Sequence, residues 1–400
     1  MSYKYPKKVT CPYCMESFDN PVIKQEKDKK NGAVNKAAQP PPIDICPKCK
    51  TRIPKDYLYS KVRTLYVYFI GPPSAGKTRL IGNMIRDSER EFGHRGVFRE
   101  WTVAPDPDPK KDVNCNEVRD FYVRHAMDID NGNVGSTGLA QIGKYPMVLY
   151  KLGSCGSVLR SLADMSFRKE KVYLAFADAM GEWFTFKELP ANTQDPFSGA
   201  SSKEREEYRK RFAKANAIIL VLEPGHIPGL HSASDKDENG EPIIRKTDTN
   251  IENILDFSQL LFGRTFHKVP LAITLSKFDR LFASNNPVAK EFLRLFSANS
   301  SRDWKTATDF LSDDINKITS VSEGLKTAIL GSKNIELNSR ARKNIREIIL
   351  SYPYTSLFAV SSTGMGGLRK TNSRLSPLHV LDPLVWILWQ YGYLRSKLFM

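Results

Sequence analysis

The chain has 400 residues, of which 41% are hydrophobic and 26% charged, and this composition excludes a wholly disordered, collagen-like or coiled-coil protein. Lys and Arg number 60 against 44 Asp and Glu, which gives a formal net charge of +16. No uncharged apolar stretch reaches the roughly 18 to 20 residues that a membrane span needs, and the first residues lack the apolar segment of a signal peptide. We therefore expect a globular, cytoplasmic protein of two or three units.

Two identical cysteine pairs near the start of the sequence predict a small zinc ribbon. They are Cys11-Pro-Tyr-Cys14 and Cys46-Pro-Lys-Cys49. Four thiolates complete the tetrahedral set of a structural zinc ion and leave no open position for catalysis. The metal also offsets the lack of a hydrophobic core in so small a unit. Two disulfides are the alternative, which a reducing compartment disfavours.

The cysteine region is also the most basic part of the chain. Residues 1–63 contain 14 Lys or Arg and 6 Asp or Glu, and the 31 residues between the two cysteine pairs include a Lys-rich run and three successive prolines. We expect residues 1–60 to form the ribbon with a long basic loop. Such a surface attracts nucleic acid, anionic lipid or acidic proteins. A protein-docking module is the first expectation and a nucleic-acid reader the second.

A phosphate-binding loop follows the ribbon. The apolar run at 64–70 predicts a buried strand, residues 71–78 (GPPSAGKT) match the pattern G-x-x-x-x-G-K-[ST], and residues 79–92 have helical spacing of apolar side chains. Backbone amides at the helix start favour an anion. We expect Lys77 to reach the β- and γ-phosphates and the Thr78 hydroxyl to bind Mg²⁺. The residues predicted to form the phosphate site are Gly71, Ser74, Ala75, Gly76, Lys77 and Thr78.

Further strands and helices alternate along the chain, as in a parallel sheet covered by helices on both faces. We predict strands at 147–152, 171–177, 217–222, 271–275 and 356–360, and helices at 203–214, 251–262 and 289–296. The fold class is therefore α/β, with one domain over residues 61–400. We expect insertions at about 104–146, 224–250 and 301–350, the last mostly helical. A final apolar helix begins near Asp382, which suits its N-cap, and we expect it to be buried against the sheet.

The predicted strand at 171–177 is followed directly by Asp178-Ala179-Met180-Gly181-Glu182. Asp178 is placed to hold Mg²⁺ through water. Gly181 could donate its amide to the γ-phosphate, which would make the following segment a nucleotide-dependent switch. Thr137 is the best candidate for a switch threonine that completes the Mg²⁺ shell, with Ser136 as its rival.

The predicted strand at 271–275 runs into Ser276-Lys277-Phe278-Asp279, a candidate base-binding motif. The Asp279 carboxylate can accept two hydrogen bonds, from guanine N1–H and from the 2-amino group. Adenine would leave it unpaired, which predicts guanine selectivity. The Lys277 stem can pack along the base. The last strand ends in Ser361 and Ser362, whose amides could reach guanine O6.

The ordered set GPPSAGKT, DAMG, SKFD and VSST resembles the translation-factor and Ras-like class of P-loop GTPases. The resemblance implies slow, Mg²⁺-dependent GTP hydrolysis and GTP/GDP switching. The catalytic groups would then be Lys77, Thr78, Asp178, Gly181 and Glu182. Two positions depart from that class, because Ser276 stands where Asn is usual and Glu182 where a water-orienting Gln is common. The ribbon and the apolar final helix also resemble the bacterial double-GTPase group, which is associated with biological-conflict gene clusters.

Two other functions stay open at this point. Glu182 beside the γ-phosphate would suit a non-hydrolysing adaptor whose nucleotide is structural. An ATPase of another P-loop class would predict an acidic residue directly after Asp178, where the sequence has Ala179. Protein partners are expected at the ribbon or at the 301–350 insertion, and the chain could form a homodimer.

Overall fold

The structure is a computed structural model, and the part of the chain that it describes comprises residues 5–30, 44–94, 119, 121–123, 147–152, 170–178, 206, 209–226, 240, 251–285, 290, 294, 314–331, 354–362 and 379–392. Two compact units make up the chain. The first comprises Met1–Tyr66, Glu89–Phe121 and Gly135–Ala177, and the second comprises Val67–Ser88, Tyr122–Val134 and Asp178–Met400. The ribbon boundary near residue 60 stays a prediction.

The described part of the chain contains both β-strands and α-helices. The strands are β1 (Lys8–Thr10), β2 (Ser17–Asp19), β3 (Lys61–Ile70), β4 (Met147–Leu152), β5 (Glu170–Asp178), β6 (Ala217–Leu222), β7 (Leu271–Leu275) and β8 (Thr355–Ala359). The helices are α1 (Pro21–Lys30), α2 (Asp56–Tyr59), α3 (Lys77–His94), α4 (Ile251–Phe262), α5 (Asp279–Ala283), α6 (Asp314–Gly331) and α7 (Asp382–Gln390). α6 lies in the predicted helical insertion at 301–350.

Six of the strands form one sheet in the order β4-β5-β3-β6-β7-β8, while β1 and β2 pair separately. β3 with β6, β6 with β7 and β7 with β8 are parallel, and β4 with β5 is antiparallel. The register places Leu222 opposite Leu275 and Leu275 opposite Ala359, so these strands end at one edge of the sheet. The predicted α/β fold with a mostly parallel sheet and a preceding four-cysteine module is confirmed.

The sheet supplies the core of the second unit. Every residue of β6, β7 and β8 is buried. Because successive side chains of a strand point to opposite faces, both faces of these strands are covered. This is why the sequence of a central parallel strand is a continuous apolar run instead of an alternating one.

The apolar final helix, α7, is buried as expected, over Asp382–Leu388. Its start differs from the prediction in one detail. Leu381 is the N-cap, and Asp382 is the first helical residue, where its carboxylate contacts Nδ1 of the buried His379 at 2.9 Å. Gly392 follows the helix at φ +70°, and its amide donates to the Trp389 carbonyl. In the described residues, no helix combines the length and the apolarity needed to cross a membrane.

Candidate functional site

The four cysteines of the two pairs lie together in the first unit, and their geometry fits a zinc ion. All four Sγ atoms are within 4.8 Å of one another. The Cys11–Cys49 and Cys14–Cys46 sulfur distances are both 3.7 Å. Sulfurs bound tetrahedrally at the usual zinc–thiolate bond length lie about 3.8 Å apart, whereas a disulfide bond is about 2.05 Å long. The disulfide alternative therefore does not fit this arrangement.

The two cysteine turns repeat one backbone geometry. The Met15 amide donates to the Cys11 carbonyl at 2.9 Å, and the Lys50 amide donates to the Cys46 carbonyl at 3.0 Å. Met15 and Lys50 have φ of +59° and +61°, an uncommon conformation for residues other than glycine. Each turn thereby aims two sulfurs at the same point. Hydrogen bonds within the cluster lower the pKa of the Cys49 thiol but raise the pKa of the Cys11 thiol. A metal ion needs its cysteine ligands as thiolates, so metal binding would release protons from this cluster.

The phosphate-binding loop joins β3 to α3, and Gly71 opens it in a conformation that only glycine fits. Gly71 has φ +147°, and a Cβ there would lie 2.2 Å from the Val221 carbonyl oxygen on the neighbouring strand. Gly76 at φ +85° and Ser74 at φ +62° bend the loop further. The Leu80 amide then donates to the Gly76 carbonyl at 2.9 Å as the helix begins. The loop thus leads directly into a helix N-terminus, the arrangement that favours a bound anion.

This loop lies at the topological switch point of the sheet. From β3 the chain crosses to β4 and β5 on one side, whereas from β6 it crosses to β7 and β8 on the other. In open α/β sheets, ligands bind in the crevice that this reversal creates, outside the carboxyl ends of the strands. The phosphate-binding loop follows β3 and Glu223 follows β6, so both lie at the carboxyl ends of these two neighbouring parallel strands.

Lys77 is buried at the first position of α3, where its ammonium donates to the Gly71 carbonyl at 2.7 Å and to the Pro72 carbonyl at 2.9 Å. Burial lowers the pKa of Lys77 to about 8, and the charge of Asp178 opposes that shift. The side chain therefore keeps its charge at neutral pH. The predicted magnesium ligand Thr78 follows it and is half-buried.

Asp178 ends β5 with one carboxylate oxygen engaged and the other unpartnered. The Tyr122 hydroxyl donates to Oδ2 at 3.0 Å, whereas Oδ1 is buried with no hydrogen-bond partner in the described part of the chain. Burial raises the pKa of Asp178 to about 6, although Lys77 and Tyr122 favour the ionised form. A buried carboxylate oxygen that lacks a donor fits a hard cation such as Mg²⁺. This observation supports the predicted role of Asp178.

The structure brings together the predicted base-binding residues of two different strands. Asp279, buried at the start of α5, accepts a hydrogen bond from the Ser361 hydroxyl, which follows β8. Burial lowers the pKa of the nearby Arg79 guanidinium, and the charge of Asp279 opposes that shift. Ser362 is tied to α3 through its carbonyl, which accepts from the Asn83 amide at 3.3 Å. The loops after β7 and β8 thus form one end of the crevice.

Ser276 and Lys277 make contacts that sequence patterns did not anticipate. The Ser276 hydroxyl lies 2.6 Å from the Ala75 carbonyl and 2.8 Å from the Leu222 carbonyl, so it ties the phosphate-binding loop to the loops after β6 and β7. Lys277 has φ +52°, and its ammonium forms an ion pair with Glu223. The Lys277 head is therefore held at the carboxyl end of β6.

Sequence reasoning missed four residues of this region, namely Tyr122, Glu223, His226 and Asn83. Glu223 carries a signal, since it directly follows a predicted strand whose neighbours also end in polar residues. His226 is buried, and its Nδ1 lies 3.1 Å from the Glu223 amide. Tyr122 falls in the predicted 104–146 insertion and Asn83 within an amphipathic helix, where no local pattern marks either. The predicted residues Thr137, Gly181 and Glu182 lie outside the described part.

By its own residues the chain is a P-loop α/β protein with a four-cysteine module. It matches no protein-family model and no curated protein sequence. Among solved structures it resembles a chain of the signal recognition particle receptor SRb-GTP/SRX complex from Chaetomium thermophilum, with a TM-score of 0.25 and 12% identity over 75% of this chain and 91% of that one.

Two further solved structures resemble the chain with similar TM-scores and sequence identities. The Saccharomyces cerevisiae Ski7 GTPase-like domain bound to GTP has a TM-score of 0.28 and 10% identity over 84% of this chain and 51% of that one. The septin GTPase domain from Chlamydomonas reinhardtii has a TM-score of 0.26 and 10% identity over 76% of each chain. Likenesses with such low TM-scores assign neither a family nor an activity to this chain.

Proposed function

We propose that the protein binds GTP with Mg²⁺, hydrolyses it slowly and acts as a conformational switch. The observation that carries this proposal is the buried Asp279 carboxylate, which the Ser361 hydroxyl holds at the carboxyl edge of a sheet that also carries a P-loop. An ionised carboxylate can pair with the N1–H and 2-amino donors of guanine. Adenine offers no donor at the equivalent positions, so it would leave a desolvated charge unpaired at a cost of about 1–3 kcal/mol or more.

The phosphate end of the site supports the same function. The backbone of Ser74 to Thr78 can present amides to a polyphosphate, and the buried Lys77 ammonium can exchange its carbonyl partners for phosphate oxygens. Thr78 and Asp178 would hold Mg²⁺, which neutralises charge between the β- and γ-phosphates. The unpartnered Oδ1 of Asp178 supports that assignment.

The finer parts of the proposal come from the sequence. Glu182 in place of a water-orienting Gln suggests slow turnover, and the segment from Gly181 onward would be the switch. The zinc ribbon would dock a protein partner, with its basic loop as a nucleic-acid contact in second place. The likeness of the ribbon and the apolar final helix to the bacterial double-GTPase group suggests a role in biological conflict, in the cytoplasm.

Equilibrium binding of fluorescent GTP and ATP analogues with Mg²⁺ tests the base site. The wild type should prefer the guanine analogue by about 100-fold, and Asp279→Ala should reduce that preference to a few fold. Asp87→Asn is the matched control, because Asp87 is a buried carboxylate of the same unit that pairs with Arg86 on α3. It should keep the wild-type preference.

Equal binding of both analogues by the wild type, or a guanine preference that survives Asp279→Ala, would overturn the guanine assignment. Hydrolysis is measured separately, as phosphate release from bound GTP over hours. Turnover that Lys77→Ala abolishes supports the switch, whereas bound GTP that stays intact favours the non-hydrolysing adaptor.

A further inference from the structure

Tyr122 is a buried residue that contacts the Asp178 carboxylate and has no role in the proposed function. Only 1% of its surface is exposed, and its hydroxyl points at Asp178 with an oxygen–oxygen distance of 3.0 Å. Both residues belong to the second unit. Tyr122 lies 56 residues before Asp178 in sequence, so the contact is made by the tertiary fold.

The two oxygens of the Asp178 carboxylate differ in their hydrogen bonding. Oδ2 accepts the tyrosine hydrogen bond, whereas Oδ1 is buried and has no partner in the described part of the chain. A carboxylate can rotate about its Cβ–Cγ bond and exchange its oxygens. A single donor at a fixed place selects one orientation, and a hydrogen bond to an ionised acceptor contributes enough free energy to hold it. The oxygen opposite the donor is then the one left for a cation.

We propose that Tyr122 is a positioning residue, which orients the Asp178 carboxylate so that Oδ1 faces the Mg²⁺ of a bound magnesium–nucleotide complex. This role rests on the proposed function, because it requires that Asp178 serves a magnesium–nucleotide complex. A tyrosine suits the role, since its hydroxyl donates without adding charge and its ring is held by packing. In this role Tyr122 acts through the Asp178 carboxylate alone.

The test compares nucleotide affinity with and without Mg²⁺ in the full-length, zinc-loaded chain, using a fluorescent GDP analogue and no chelator. Tyr122→Phe keeps the ring and removes the donor. It should lower the Mg²⁺-dependent gain in affinity by about 10-fold, while the affinity without Mg²⁺ stays at the wild-type value. Tyr57→Phe is the matched control, because it removes a hydroxyl from a buried tyrosine of the first unit, where the partner is Thr64. It should leave the Mg²⁺ gain unchanged.

A second pair of variants separates positioning from packing. In an Asp178→Asn background, Tyr122→Phe should have little further effect on the Mg²⁺ gain, since the carboxylate it acts through is gone. A Tyr122→Phe effect of equal size in that background would overturn the positioning role, as would an equal loss of affinity in the absence of Mg²⁺. A wild-type chain without any Mg²⁺-dependent nucleotide affinity would instead overturn the proposed function, and the role of Tyr122 with it.

Discussion

Replacing Asp178 by Asn should stabilise the nucleotide-free protein even though it damages the magnesium site. Burial raises the pKa of this carboxyl from 3.8 to about 6. One pKa unit corresponds to about 1.4 kcal/mol, so the ionised carboxylate costs the folded state about 3 kcal/mol above pH 6. An asparagine keeps an oxygen that can accept from Tyr122, but its buried NH₂ group costs about 1–2 kcal/mol if it finds no acceptor. We therefore expect a net gain of about 1–2 kcal/mol at pH 7.5.

The sign of the pH dependence follows from the direction of the shift. A carboxyl whose pKa is raised on folding gives its full stabilisation below the unfolded pKa, and that stabilisation is lost as the pH rises through the folded value. For Asp178 this window runs from about pH 4 to about pH 6. The wild type should thus lose stability relative to Asp178→Asn across the window and show a constant deficit above it.

Urea denaturation followed by circular dichroism, with zinc present and without magnesium or nucleotide, measures this difference at pH 5.0, 6.0 and 7.5. Asp87→Asn serves as control, because that carboxylate has an ion-pair partner in Arg86. It should give no gain. A variant at Asp178 that is less stable than the wild type at pH 7.5, or a stability gap that does not change with pH, would refute the assignment of a buried charge that Lys77 and Tyr122 compensate only in part.

Three further predictions follow from single contacts. Gly71→Ala should lower the free energy of unfolding by several kcal/mol or prevent folding, because the new Cβ would lie 2.2 Å from the Val221 carbonyl oxygen. Gly240→Ala is the control: this glycine is also at positive φ but has open space around it, so the variant should lower the melting temperature only slightly. Wild-type protein should contain one zinc ion per chain by metal analysis, and Cys46→Ser should contain almost none. If metal-free wild type melts at the same temperature as zinc-loaded wild type, the zinc is not structural. Ser276→Ala should weaken GTP and ATP analogues alike by about 5-fold, and a selective loss of the GTP analogue would show that the hydroxyl contacts the base.

The strands of this fold could be predicted from the sequence because the central sheet is buried on both faces. The bounds of Ala217–Leu222 and Leu271–Leu275 agree with the continuous apolar runs that predict them. The glycine pattern of the phosphate-binding loop was equally informative, since the close approach of Gly71 to Val221 is a backbone constraint that only one residue type satisfies. Both the apolar strands and the glycine loop depend on residues close together in sequence, so a single sequence is enough to predict them.

The contacts between side chains could not be predicted from the residue pattern along the sequence. The pairing of Lys277 with Glu223 depends on which strands are neighbours and on a left-handed backbone at Lys277. The Tyr122 contact joins two segments that no periodicity relates. The Asp382 N-cap was misplaced by one residue because the carboxylate contacts His379, which precedes the helix, instead of the amides of its first turn.

The same tertiary contacts suggest how the two ends of the nucleotide site are coupled. The Ser276 hydroxyl has one proton and two carbonyl neighbours, so it can donate to Ala75 of the phosphate-binding loop or to Leu222 at the end of β6, but not to both at once. Ser276 stands three residues before Asp279, the proposed base-binding carboxylate. A shift of the phosphate-binding loop therefore changes a hydrogen bond in the base-binding segment directly. An asparagine at this position would carry two amide protons and could donate to both carbonyls. The Ser276→Asn variant should therefore couple phosphate recognition more tightly to base recognition than the wild type does.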